Sequence, residues 1–150
     1  MAAFVLDTSC LVAAVCDWHE HHGPAAAELN RRLAGKEPMI VAAPAVVEAY
    51  AVLTRLPPPH RLSAPDALAV LDENFLRGGR LVALDATSHR SLLREAPNGG
   101  ISGGLTYDAV IARCAIRFKA STLLTFNERH FRALVPPGID VVVPRSRIGT

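Results

Sequence analysis

Four times along this chain a short, mostly apolar run gives way to a segment with helix signals, and a fifth short run follows the last of these. The runs are residues 3–6, 39–43, 80–84, 122–125 and 139–143. Each is too short for a helix and is flanked by Gly, Pro, Asp or Asn, as strands are. Between them lie helix patterns. Residues 24–33 carry Pro24 in the first turn and Gly35 just past the end. Residues 44–55 open at Pro44 and stop before Pro57-Pro58-Pro59. Residues 64–76 place Leu68, Leu71 and Phe75 on one stripe, ended by Gly78-Gly79. Further helices are expected over 11–15, from Asp85 or Thr87 to about 95, over 106–119 and over 127–134. Residues 17–23 read as a polar turn, and the Gly-rich segment 98–104 as a flexible loop.

Such alternation argues for an α/β chain, a mostly parallel central sheet of about five strands with helices on both faces, hence a three-layer α/β/α sandwich. Parallel strands need right-handed crossovers, so their carboxyl ends share one edge, where ligands bind in open α/β sheets. With 150 residues, half of them hydrophobic, the chain is read as one domain over 1–150.

The first run ends on Asp7-Thr8-Ser9. Asp7 is either a helix cap or a carboxylate delivered to the ligand edge. Other acidic residues bear on the choice. Residues 1–16 hold one charged side chain, Asp7; residues 39–54 hold one, Glu48; residues 96–112 hold one, Asp108. A lone carboxylate in a partly buried element must be paired, hydrogen-bonded or bound to a cation. Glu48 and Asp108 fall in the first turns of helices that start at the same sheet edge, where the helix dipole favours negative charge. Three converging carboxylates repel one another and take up protons or cations. Oxygen ligands favour Mg²⁺ or Mn²⁺, held with water and substrate phosphate, an arrangement suited to phosphodiester chemistry. Asp85 and Asp140 are left out, read as a cap and a turn residue.

Ser9 is positioned to orient a carboxylate or a metal-bound water, or to cap the next helix. Thr125 and Asn127 follow the fourth strand onto the same edge, with Asn127 an outer-shell acceptor or a cap. The Gly loop is a flexible connection or a close approach to a nucleic-acid backbone; its spacing is not that of a phosphate-binding motif. Arg55 and Arg113 are candidate phosphate contacts, or ordinary solvated charges.

The formal net charge of +2 excludes a strongly basic nucleic-acid coat. Of 16 basic residues only Lys36 and Lys119 are lysine, a bias that suits bidentate phosphate contacts but also follows from base composition. The odd set Cys10, Cys16 and Cys114 points to reduced thiols and a cytoplasmic location. Cys16 with His19, His21 and His22 lacks a zinc framework and is read as a solvated His-rich turn. No signal-peptide pattern or membrane span is expected.

Taken in order, Val5-Leu6-Asp7-Thr8-Ser9, Val46-Val47-Glu48-Ala49-Tyr50 with Leu53-Thr54-Arg55, Gly103-Gly104-Leu105-Thr106-Tyr107-Asp108-Ala109 and Leu123-Leu124-Thr125-Phe126-Asn127-Glu128-Arg129-His130-Phe131 resemble a PIN-domain ribonuclease. More narrowly, the chain resembles the VapC-type toxin of a VapBC toxin–antitoxin module. The resemblance covers nearly the whole chain. It implies a Mg²⁺- or Mn²⁺-dependent endoribonuclease, a homodimer, an RNA substrate and a VapB-type antitoxin whose tail occludes the site. It maps the family's carboxylates onto Asp7, Glu48 and Asp108, and its fourth acidic position onto Asn127. A neutral amide there implies one firmly held ion, with Asn127 in its outer shell. The alternatives are a phosphotransfer or phosphatase domain with Asp7 as nucleophile, which lacks its companion Lys or second Asp, and a catalytically weak or inactive PIN-like RNA- or protein-binding module.

Overall fold

Successive residues of a strand point to opposite faces of its sheet, yet Phe4, Val5 and Leu6 are all buried. Both faces of that strand are therefore covered, the signature of a central strand in a parallel sheet. In the computed structural model, which describes residues 2–145, these residues form β1 (Ala3–Leu6). It is flanked by β2 (Met39–Ala42) and β4 (Ala120–Leu124), and then by β3 (Arg80–Val82) and β5 (Asp140–Val142). The order is β3-β2-β1-β4-β5, with every neighbouring pair parallel. Phe4 registers with Met39 on one side and Thr122 on the other.

Among the described residues, seven α-helices complete an α/β/α sandwich: α1 (Thr8–Val15), α2 (His22–Ala34), α3 (Ala43–Arg55), α4 (Ala64–Leu71), α5 (Ala86–Glu95), α6 (Leu105–Arg117) and α7 (Glu128–Leu134). α1 packs on α2 and α3, and α3 on α4; α6 packs on α5 and α7, and α3 also meets α6. Among the described residues, no helix is long and apolar enough to cross a membrane.

The junctions that matter are short. Only Asp7 separates β1 from α1, and β2 runs directly into α3. Helix starts are thereby pinned to the carboxyl edge of the sheet. Pro44 suits the first turn of α3, where a missing N–H costs nothing. Ser63 caps α4 by accepting from the Asp66 N–H at 3.2 Å, and Asp85 caps α5 by accepting from Ser88 at 2.8 Å. Each carries a short side chain that competes for backbone donors; the Asp85 cap was legible in the sequence, and the Ser63 cap is added by the structure.

Three sequence expectations need correction. Residues 64–76 are not one helix: α4 passes into a wider π turn over Asp72–Leu76. The inward stripe is Ala67, Leu71 and Phe75, and Leu68 is 56% exposed. The polar turn is shorter than expected, because α2 begins at His22. Gly79, beyond the π turn, sits where a Cβ would lie 2.5 Å from the Phe75 carbonyl oxygen and 2.6 Å from Val41 Cγ2. Only glycine allows that approach, which brings the chain back into β3.

One acidic residue is buried outside the site. Glu28 of α2 is paired by Arg31 at 2.5 Å and by Arg32 at 2.8 Å, and Arg32 also reaches Glu37 at 2.7 Å. Pairing from two guanidinium groups is what makes that burial tolerable.

Candidate active site

Asp7 ends β1 and is 1% exposed. Its backbone is extended, so its side chain folds back over the start of α1. Oδ1 accepts from the Cys10 N–H at 2.9 Å and from Ser9 Oγ at 2.6 Å. Oδ2 accepts from Thr125 Oγ1 at 2.5 Å, across the β1–β4 pair. The choice between cap and cleft residue was a false one, since Asp7 caps α1 and also lines the cleft. Ser9 accepts from the Phe126 N–H at 3.2 Å, and Thr125 from the Asn127 N–H at 2.8 Å. Both hydroxyls thus tie the end of β1 to the turn after β4. Neither Ser9 nor Asn127 caps a helix through its side chain.

Glu48 and Asp108 line the same cleft of about 460 Å³, together with Asp7, Thr8, Ser9 and Asn127. The three carboxylates form a gradient of burial. Asp7 is at the floor, Asp108 has a side chain 21% exposed, and Glu48 is at the exposed rim. Glu48 lacks the burial its uncharged sequence window suggested, and it lies in the second turn of α3 rather than the first. Its helix buries Ala45, Val46, Ala49 and Leu53 and turns Val47, Glu48 and Tyr50 outward. Each outer carboxylate is tied to a neighbour: Thr8 Oγ1 donates to Glu48 Oε2 at 3.1 Å, and His130 Nδ1 lies 3.0 Å from Asp108 Oδ2. Among the described residues, no three His, Cys, Asp or Glu side chains are already drawn into a metal-binding cluster.

The electrostatics centre on Asp7. Burial raises its pKa above the ordinary carboxylate value of 3.8; bonds from Ser9, Thr125 and Cys10 oppose the rise, and the charge of Asp108 adds to it. A buried carboxylate with a second one nearby is a strong acceptor for a cation. The all-oxygen donor set of Asp7, Asp108 and Glu48 fits a hard divalent ion better than a soft one. Cys10 is inert for the same reason, because burial and the neighbouring Asp7 push its thiol well up. All three cysteines are free and buried.

The loop between α1 and α2 also reaches this cleft. His19, Glu20 and His21 line it, with Phe126. The residues read as a solvated turn therefore face the carboxylates. Their only sequence signal was the density of histidine, and no local pattern reports where a loop folds. The two arginines diverge. Arg55 is exposed and borders a groove it shares with Glu48, Val47 and Tyr107. Arg113 bonds to Glu95 and lines a different cavity with Leu84 and Arg117, away from Asp108. Five residues along a helix turns a side chain well off the face of Asp108, so Arg113 does not join the cleft.

The PIN domain family model matches residues 4–135. Ribonuclease VapC40 of Mycobacterium tuberculosis is 42% identical over 123 residues, 82% of this chain and 85% of the relative. Ribonuclease VapC27 of the same organism is 33% identical over 138 residues, 92% of this chain and 94% of the relative. The fold matches the crystal structure of M. tuberculosis VapC20, described as a sarcin–ricin loop cleaving toxin, with TM-score 0.69 at 16% identity over 89% of this chain and 97% of that one. It also matches VapBC2 from Rickettsia felis bound to a promoter DNA fragment, with TM-score 0.67 at 20% identity over 95% and 99% of the two chains. With the model spanning β1 to the end of α7 and a relative of this similarity aligned over most of both chains, the protein belongs to the PIN domain family, beside the VapC ribonucleases.

Proposed function

We propose that the chain is a single-domain, divalent-metal-dependent endoribonuclease, the toxin of a type II toxin–antitoxin pair. The observation that carries the reading is the buried Asp7 carboxylate, fixed by three hydrogen bonds at the floor of a cleft that Glu48 and Asp108 also line. Relatives named as ribonucleases support the activity, and the VapBC complexes of the same fold support a VapB-type antitoxin as partner. The homodimer remains part of the proposal.

Asp7, Asp108 and Glu48 would hold Mg²⁺ or Mn²⁺, which supplies charge stabilisation to a phosphate and a nucleophilic water at neutral pH. The chain does the rest. Ser9 and Thr125 hold both Asp7 oxygens in one orientation, so the carboxylate loses little freedom on binding. Thr8 steadies Glu48 at the rim, and His130 steadies Asp108. Asn127 adds an uncharged amide to the cleft wall, in keeping with an outer-shell role. Arg55, on the groove next to Glu48, is placed to meet a flanking phosphate. Asn127 also favours a second reading, a PIN-like module that binds RNA or protein without cutting.

The test uses purified protein freed of any partner, incubated with structured RNA with and without Mg²⁺ or Mn²⁺, beside Asp7→Asn. Cleavage only with metal and only in the unsubstituted protein is expected. Cleavage that persists in chelator or in Asp7→Asn would sink the metal reading. Metal binding with no RNA cut favours the binding module.

A further inference from the structure

Five rings run in a chain across the surface beside the carboxylates. His60 stacks on Trp18 at 4.2 Å between centroids and 24° between planes. Trp18 meets His19 at 5.9 Å and 44°, and His19 meets His21 at 5.7 Å and 42°. His21 then stacks on Phe126 at 4.4 Å and 14°. The last three rings line the cleft with Asp7, Glu48 and Asp108. Trp18 is the only tryptophan in the chain and is 43% exposed. A ring system that large gains more from a core than any other side chain, so leaving it in water beside the cleft asks for an occupant.

Hydrogen bonds hold the loop that carries Trp18, His19 and His21. The His21 N–H donates to His19 Nδ1 at 3.0 Å, and the His22 ring bonds the Ala13 carbonyl at 2.9 Å. The loop is therefore tied to α1, and the rings are presented in a fixed sequence. At both ends the rings are paired face to face. At the two tilted junctions, around His19, no ring face is matched by a parallel neighbour. Indole and imidazole also carry polar N–H edges, which suits a partner with a flat face and a polar rim. A nucleobase has that shape, and an apolar peptide does not. Phe126 borders a second groove too, lined by Asn127, Arg129 and His130, where the exposed Arg129 is available to a phosphate.

We infer that His60, Trp18, His19, His21 and Phe126 form a stacking wall that receives unpaired RNA bases next to the scissile phosphate, with Trp18 and His21 as positioning residues that favour single-stranded substrate. The inference rests on the ribonuclease reading and adds to it where the bases lie. Aromatic faces accept every base, so the wall selects unpaired RNA over duplex and is indifferent to most sequence.

A single tryptophan makes the wall directly observable. Full-length Asp7→Asn protein in chelator is titrated with a fluorescently labelled single-stranded RNA oligonucleotide and with its duplex. Label anisotropy reports binding, and Trp18 emission reports contact with the wall. Single-stranded RNA should quench and shift that emission, and duplex should leave it unchanged. In the cleaving protein, Trp18→Ala or His21→Ala should raise KM about 5- to 140-fold, the span that one stacked base contributes. kcat should stay within about twofold, because the wall acts through binding, and Trp18→Phe should restore most of the loss. RNA that binds by anisotropy without altering Trp18 emission overturns the wall and leaves the ribonuclease reading intact. Failure to bind any single-stranded RNA also overturns the wall, while the ribonuclease reading stands or falls on the metal-dependent cleavage of structured RNA. An equal rise in KM for paired and unpaired substrates, or an emission change produced by a protein partner and not by RNA, also overturns the wall.

Discussion

Thr125→Val tests the architecture of the cleft most sharply, because it alters almost no volume and removes one hydroxyl. That hydroxyl is fully buried and has two partners: it donates to Asp7 Oδ2 at 2.5 Å and accepts from the Asn127 N–H at 2.8 Å. A hydrogen bond to a charged group contributes about 1.5–3 kcal/mol, and the amide left unpaired costs about 1 kcal/mol or more. The loss expected at neutral pH in chelator is therefore about 3 kcal/mol. At about 2–4 °C per kcal/mol for a domain of this size, the melting temperature should fall by about 6–12 °C. Urea unfolding of the four proteins in the cycle with Asp7→Ala isolates the shared term, since the Asn127 bond is lost in both arms. A coupling energy of about 1.5–3 kcal/mol is expected between Asp7 and Thr125. It should shrink in acid, because the Thr125 bond favours the ionised form of Asp7. Additivity within about 0.5 kcal/mol at neutral pH would refute the claim that Thr125 holds the Asp7 carboxylate.

Burial raises the folded-state pKa of Asp7, so the folded protein holds this proton more tightly than the unfolded chain does. In chelator, the stability of the unsubstituted protein relative to Asp7→Asn should fall as pH rises from about 4 through the raised pKa; a rise over that window in urea titrations would contradict the burial account. Saturating Mg²⁺ or Mn²⁺ at about 100 times its dissociation constant should restore about 2.7 kcal/mol, seen as a thermal shift that Asp7→Asn lacks. Gly79→Ala should cost about 2 kcal/mol or more, while Gly78→Ala, with no atom within 4 Å of its would-be Cβ, stays within about 0.5 kcal/mol by equilibrium unfolding. Glu28→Ala should cost about 1.5–3 kcal/mol in the same measurement, because the largely buried Arg32 is left with Glu37 alone; a cost below about 1 kcal/mol would mean that Glu37 and water replace the lost bond.

Much of the fold was legible because its signals are local. Short apolar runs, Pro44 in a first turn and the Asp85 cap each act through neighbours a few residues away. The extra π turn was not legible, since no residue in 72–76 breaks a helix, and the tight return at Gly79 is set by Val41 on another strand. Isolation in an uncharged window singled out Asp7, Glu48 and Asp108, and all three line one cleft. It did so for Glu48 without the expected burial, because an uncharged stretch of α3 still has an outward face.

Alternating strand and helix signals argued for a parallel sheet, and strands that all run the same way gather their carboxyl ends and the helix starts that follow them on one edge. To that extent the sequence determined where a site would lie and which carboxylates were candidates. The folded structure decided contacts between residues far apart in the chain. It set Thr125 on Asp7 across 118 positions. It also brought His130 to Asp108, turned Arg113 away towards Glu95, and folded the His-rich loop over the cleft. Those contacts depend on how β1 and β4 register and on how α1 and α2 pack, and residue spacing carries no record of either.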